Sequence, residues 1–197
     1  YEIIDTDGIS ENNEIGICSA GKYKSVVGHG SCIDCPAGKY SDTDGASECT
    51  PCAAGRYETN VGTTECSGAC VLGTSTNGLE GQQSVESCRS CETGKYANSE
   101  GQGVCEDCEA GKYADHAGLS TCTDCPLGHY ESKKGAKTCY SLCAAGKSTE
   151  GSTAYSACVD CELGKYASSE GSAECTSCPV GYHQSTKGQS ACIACAV

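Results

Sequence analysis

The chain has 197 residues, of which 21 are cysteine and 26 glycine, with no Phe, Trp or Met and a formal net charge of −13. Only 22 are Leu, Ile or Val, too little apolar surface for one packed core of ordinary domain size, and cysteine at this density marks a disulfide scaffold. This net charge, with acidic residues scattered rather than in runs, argues against binding to nucleic acid or an anionic membrane, which needs basic patches, and such cysteine use places the chain in an oxidising compartment, secreted, extracellular or at the cell surface.

Residues 1–17 stand apart, with no cysteine but with Ile3, Ile4, Ile9, Ile15 and Ile17. They lack the basic start and apolar run of a signal peptide, and no segment of the chain has the length of a membrane span. The chain is therefore read as a mature or trimmed ectodomain whose leader and any anchor lie outside it. The stretch is expected to be either a short strand docking on the first module or a neighbouring molecule, or a linker from a preceding domain.

From Cys18 onward the cysteines keep a metre of thirteen intervening residues followed by a Cys-x-x-Cys step, a period of 17. Each opening cysteine is followed three positions later by glycine: Gly21, Gly38, Gly55, Gly73, Gly94, Gly111, Gly128, Gly146, Gly164 and Gly181. Two positions further stands a tyrosine in seven units, Tyr23, Tyr40, Tyr57, Tyr96, Tyr113, Tyr130 and Tyr166, and a second glycine recurs ten after the cysteine in eight. The unit is C-x-x-G-x-Y-x4-G-x3-C. Its first glycine is expected to supply a turn that a β-carbon disfavours and its second a reversal in the loop. The tyrosine is expected to lay its ring over the disulfide and the next module with its hydroxyl in water.

Two units break the metre alike. A Cys-x3-Cys step (Cys66 to Cys70, Cys139 to Cys143) opens a longer loop with serine in the tyrosine position, Ser75 and Ser148. Each follows three regular units, which divides the chain into an N-terminal segment 1–17, a four-module block 18–90 with its irregular module at 70–88, a second block 91–160 with its irregular module at 143–158, and 161–197 with two modules and the start of another. The irregular module is either a kink or contact point, or the silent trace of a duplicated block.

Sequence does not fix disulfide connectivity, but periodicity narrows it. Pairing the cysteines that bound each loop gives Cys18–Cys32, Cys35–Cys49, Cys52–Cys66, Cys70–Cys88, Cys91–Cys105, Cys108–Cys122, Cys125–Cys139, Cys143–Cys158, Cys161–Cys175 and Cys178–Cys192. Cys195 is left over, as the opening of a further module or for an intermolecular bridge. Each closed loop of about 15 residues contributes about 3 kcal/mol in the chain-entropy picture.

Other chemistries are weaker. C-x2-C-x13-C-x2-C is zinc-ribbon spacing, yet here it recurs in continuous register in a chain read as oxidised, so no metal or other cofactor is expected. His29, His116, His129 and His183 fall in different modules without a shared cysteine or carboxylate spacing, giving no catalytic residue; His183 occupies a tyrosine position, with Tyr182 shifted by one. Asp5-Thr-Asp7-Gly8 and Asp42-Thr-Asp44-Gly45 carry a fragment of calcium-loop chemistry, but the ligand sets are incomplete and the composition is that of ordinary turns. A cation follows the first glycine in seven modules (Lys22, Lys39, Arg56, Lys95, Lys112, Lys147, Lys165), and an aspartate precedes the opening cysteine at Asp34, Asp107, Asp124 and Asp160. These are either rows of charge for side-by-side association or solvated pairs worth about 0–1 kcal/mol each. No Asn lies in an Asn-x-Ser/Thr sequon, so N-glycans are not expected, while the many Ser and Thr leave O-glycosylation open.

The unit C-P-A-G-K-Y-S-D-T-D-G-A-S-E-C-T-P-C, Cys35 to Cys52, resembles the ephrin-receptor-like cysteine-rich repeat and is similar to the first loop of tumour-necrosis-factor-receptor modules. The resemblance runs from Cys18 to Cys195. It implies short two- or three-stranded turns stacked end to end with the loop-closing disulfide, and arrays that serve as receptor ectodomains, surface coats or extracellular filaments. The second, interlocked disulfide module that such receptors alternate with the first is missing here. The expectation is a small disulfide-rich repeat fold, an elongated rod or solenoid of about ten short β-turn modules with little helix, whose units contact only their neighbours. Its expected role is a non-catalytic structural element of a surface filament, appendage, coat or matrix, self-associating with other protein; the alternative is the stalk or ligand-binding ectodomain of a receptor or adhesion protein. A redox relay through the Cys-x-x-Cys steps is disfavoured by their regular repetition and by the absence of a βαβ pattern.

Overall fold

A computed structural model describes residues 16–25 and 30–196. The isoleucines at 3, 4, 9 and 15, the Asp5–Gly8 motif and His29 lie outside the described residues. The chain divides into two compact units, one of 1–91 with 97–105 and the other of 92–96 with 106–197.

Within each unit the repeating element is a two-stranded antiparallel hairpin. In the module closed by Cys35–Cys49, Gly38 takes the left-handed φ of 80°, the Lys39 N–H turns back to the Pro36 carbonyl at 3.0 Å, and Lys39–Tyr40 pairs with Thr50–Pro51. The Cys52 N–H then donates to the Gly38 carbonyl at 2.8 Å, so the next opening cysteine is fixed by the hairpin before it. Ten such ladders of two residues per strand make up the sheet structure of the described residues, each separate from the others. The only helix described is the 3-10 turn Val85–Ser87. Among the described residues no helix is long and apolar enough to cross a membrane. A small disulfide-rich repeat fold with little helix is what the chain adopts.

Cysteine makes the core. The opening half-cystines from Cys18 to Cys161 are at most 1 % exposed, and the other buried apolar positions among the described residues are Cys49, Cys66, Cys139 and three alanines, Ala97, Ala114 and Ala167. Large apolar side chains such as Leu79, Val104 and Leu163 stand exposed. Sulfur and methyl groups fill the space that Leu and Phe fill in an ordinary domain.

Successive modules are hydrogen-bonded in both directions. The N–H of a module's first glycine donates forward, as from Gly21 to the Ser41 carbonyl and from Gly94 to that of Ala114, both at 2.8 Å. The N–H of a loop's second glycine donates back to the preceding opening cysteine, as from Gly62 to the Cys35 carbonyl and from Gly135 to that of Cys108, both at 2.8 Å.

Contact does not stop at the adjacent unit, which corrects the expectation of neighbour-only contact. The Cα of Gly21 is pressed against the carbonyl of Gly62, two modules on, and Gly94 against that of Gly135. Gly38, Gly55, Gly111, Gly128 and Gly146 meet the corresponding carbonyls of Gly81, Gly101, Ala154, Gly171 and Gly188. A β-carbon at any of these glycines runs into backbone. The first glycine therefore has two duties, a left-handed turn and a close approach.

Candidate functional site

Among the described residues no single cleft gathers the chemistry-bearing side chains, so the candidate site is the joint between modules together with the loops it presents. Each loop is closed by one disulfide: Cys18–Cys32, Cys35–Cys49, Cys52–Cys66, Cys70–Cys88, Cys91–Cys105, Cys108–Cys122, Cys125–Cys139, Cys143–Cys158, Cys161–Cys175 and Cys178–Cys192, with Cα–Cα distances of 5.5–5.8 Å. Cys195 is free and exposed. Among the described residues no group of three or more His, Cys, Asp or Glu is placed to hold a metal ion.

The residue at the heart of each joint lies three after the first glycine. Ser41, Glu58, Thr76, Ala97, Ala114, Thr149, Ala167 and Gln184 occupy it, all at most 5 % exposed, and Glu131 occupies it half-buried. In most joints its backbone carbonyl accepts the preceding glycine's N–H. In front of the two irregular modules a side chain does so instead: the Gly55 N–H donates to Thr76 Oγ1 at 2.8 Å and the Gly128 N–H to Thr149 Oγ1 at 3.0 Å. Thr149 Oγ1 in turn lies 3.3 Å from the Ala173 carbonyl, to which it donates, so one hydroxyl ties three modules together.

The serines in the tyrosine position belong to the same device. Ser75 and Ser148 are at most 1 % exposed, whereas the tyrosines of regular modules are half-buried. Each serine oxygen accepts the N–H two residues on, from Asn77 and from Glu150, at 3.2 Å, and both of those residues are left-handed, with φ of 52° and 50°. Each also lies 3.3 Å from the closing half-cystine of the next module, Cys105 or Cys175, and since a disulfide sulfur carries no proton the serine is the donor. A tyrosine ring has no room there. In regular modules the ring covers its own hairpin, as Tyr57 lies against Gly68 of the opposite strand, and the Tyr96 hydroxyl donates to Glu106 at 3.1 Å.

Glu58 brings a carboxylate into this buried position at 2 % exposure. Its oxygens accept the N–H and side-chain amide of Asn60, both at 3.0 Å, and the N–H and hydroxyl of Ser67 at 3.2 and 2.8 Å. Those donors, the Asn60 N–H foremost, hold its pKa at about 2 against the burial that opposes them. Four donors replace the water that burial removes.

The hairpin cations and aspartates pair within their own hairpins: Lys22 with Asp34 at 3.3 Å, Lys95 with Asp107 at 2.7 Å, and Lys112 with Asp124 and Lys147 with Asp160 at 2.5 Å. Lys and Asp stand directly opposite in the register. These pairs are roughly half exposed, so each is worth about 0–1 kcal/mol. The Lys112 hydrogen bond foremost lowers the Asp124 pKa, aided by the Thr153 hydroxyl.

Asp44 accepts the Ala20 N–H at 2.8 Å, so it serves the joint between the first two modules. His116 Nδ1 is 2.7 Å from Asp115 and His129 Nδ1 is 3.0 Å from the Leu127 carbonyl. His183 Nδ1 lies 3.8 Å from Cys195 Sγ, a proximity created by the last hairpin, which sets His183 opposite Ile193; the sequence spacing gave no sign of it. Shallow grooves recur at the joints with different linings: Tyr40, Asp42 and Arg56 at one, Tyr130, Leu142 and Ala144 at a second, Glu150, Glu162 and Glu174 at a third. No ligand chemistry is common to them.

A family model described as tyrosine-protein kinase ephrin type A/B receptor-like matches residues 12–48, 111–158 and 164–197, well over half of the chain. No curated protein matches it.

Proposed function

The chain belongs to the ephrin-receptor-like cysteine-rich repeat family, and on that premise we propose that it is a non-catalytic structural protein, its array forming part of a surface filament, appendage, coat or matrix. Repeats of this family are an ectodomain type without catalytic machinery, and ten disulfides agree with an extracellular or cell-surface location. The observation that carries the structural reading is the interlock: successive modules are hydrogen-bonded forward and back, and seven of the first glycines are seated against the module two further on. Such an array resists extension through many parallel bonds. Imaging of the native material tests it, with ordered polymers containing this chain as the expected result; a chain found only as isolated monomers on a membrane-anchored protein overturns it.

The family description favours one second reading, a receptor stalk or ligand-binding ectodomain. It separates from the first by self-association, since a receptor fragment stays monomeric until it meets its ligand.

A further inference from the structure

Lysine and arginine are few in this chain, 13 against 26 acidic residues, and seven of them occupy the hairpin position after the first glycine, where four are neutralised by the facing aspartate. Four of the seven hairpin charges are thus spent inside the modules. Three of the remaining six cations fall in one loop, Lys133, Lys134 and Lys137 of the module closed by Cys125–Cys139. All three are exposed. Lys134 pairs with Glu109 at 2.7 Å, whereas among the described residues Lys133 and Lys137 have no ion pair.

The equivalent loop of the module closed by Cys35–Cys49 carries the opposite decoration, Asp42, Asp44 and Glu48, all exposed. The two loops follow the same backbone course. Gly45 and Gly135 are both left-handed, with φ of 77° and 70°, and their N–H groups donate to the Cys18 and Cys108 carbonyls at 2.6 and 2.8 Å. Opposite charges on matching frames are complementary by construction. Laid antiparallel with the two glycines apposed, they bring Lys133 opposite Ser47, next to Glu48, and Lys137 opposite Thr43, between Asp42 and Asp44.

We propose that the basic loop 132–138 docks on the acidic loop 42–48 of a second copy of this chain, giving a salt-sensitive homotypic contact. The inference rests on the structural reading and names its lateral bond. Single exposed pairs are weak, so the contact is a low-affinity one that gains strength when many copies present it together.

Sedimentation velocity on the whole chain tests this. Wild type is expected to self-associate at about 0.01 M salt, where charges act over about 30 Å, and to dissociate at about 1 M, where they act over about 3 Å. Lys133→Glu with Lys137→Glu is expected to weaken association by about tenfold or more, and so is Asp42→Lys with Glu48→Lys, each retaining the wild-type unfolding transition. A mixture of the two charge-reversed proteins is expected to restore it. Wild type that assembles while either double variant assembles equally well overturns this contact and leaves the structural reading standing. Wild type that stays monomeric at low salt, yet loses binding to a sulfated glycan in the Lys133→Glu, Lys137→Glu protein, also overturns it, making an acidic glycan the partner of the loop. If wild type neither assembles nor binds the glycan, the contact and the structural reading fall together.

Discussion

Regular and irregular modules reach the same joint by different chemistry. In a regular joint the buried residue contributes its carbonyl, so Ser41, Ala97, Ala114 and Gln184 serve alike. In front of modules 70–88 and 143–158 the acceptor is a hydroxyl, and Thr76 and Thr149 are required by what they bond. Backbone-made joints tolerate sequence drift, and side-chain-made joints fix a residue. The longer loops, the buried Ser75 and Ser148 and the left-handed Asn77 and Glu150 are one rearrangement occurring twice.

The largest effect is expected where both kinds of module share a requirement. Gly146 and Gly181 have the same φ of 87°, but a β-carbon at Gly146 strikes the Gly188 carbonyl while at Gly181 it meets nothing. Gly146→Ala is expected to cost about 3–4 kcal/mol through strain and overpacking together, against about 1–2 kcal/mol for Gly181→Ala through strain alone. Denaturant unfolding of the oxidised proteins reads the difference, and equal losses dissolve the second-neighbour contact.

Thr149→Val tests the irregular joint itself. It strands the buried Gly128 N–H at about 1–3 kcal/mol, so that amide is expected to exchange about tenfold or more faster in hydrogen-exchange spectra, with Gly111, whose acceptor is the Glu131 carbonyl, unchanged. Thr149→Ser keeps the acceptor and is expected to keep the protection.

Among the buried joint residues Glu58 is the one with a titratable side chain. Its folded pKa of about 2 lies below the ordinary 4.5, so the stability it contributes is present above about pH 4.5 and is lost as pH falls toward 2. Removing charged hydrogen bonds of this kind costs about 2 kcal/mol. Thermal unfolding of wild type is expected to weaken across that window, and Glu58→Gln to flatten the fall.

The smallest effect separates the two irregular modules. Gly81 and Ala154 play one role, donating to the Cys52 and Cys125 carbonyls, but Ala154 does so as an alanine at φ of 61°. Ala154→Gly is expected to stabilise by about 1 kcal/mol, visible as a higher unfolding midpoint.

Much of this fold was legible because cysteine and glycine spacing is a direct record of loop length and turn position; hence the modules, their hairpins and the scarcity of helix. The joint residue was not legible. Strands of two residues offer no alternation to read, and tyrosine, the conspicuous member of the motif, draws attention from its buried successor. A column of small residues, Ser41, Thr76, Ala97, Ala114, Thr149 and Ala167, was the available signal. The second duty of the first glycine is hidden as well, because a turn glycine and a close-approach glycine look identical in one dimension. Lys22 and Asp34 show the opposite limit: their pairing potential was plain, but only the cross-strand register reveals that they meet inside one hairpin.

The reach of seven of the first glycines to the second following module has a consequence for biosynthesis. A disulfide needs only its own loop and is free to form as soon as that loop has left the ribosome and entered an oxidising lumen. The seat of Gly21, by contrast, is completed by Gly62, about 40 residues later, roughly 2–8 s of translation at 5–20 residues per second. The nascent chain therefore travels with two unfinished modules at its growing end, already covalently closed and not yet clamped, and the locked portion follows behind them like a zip closing at a fixed distance.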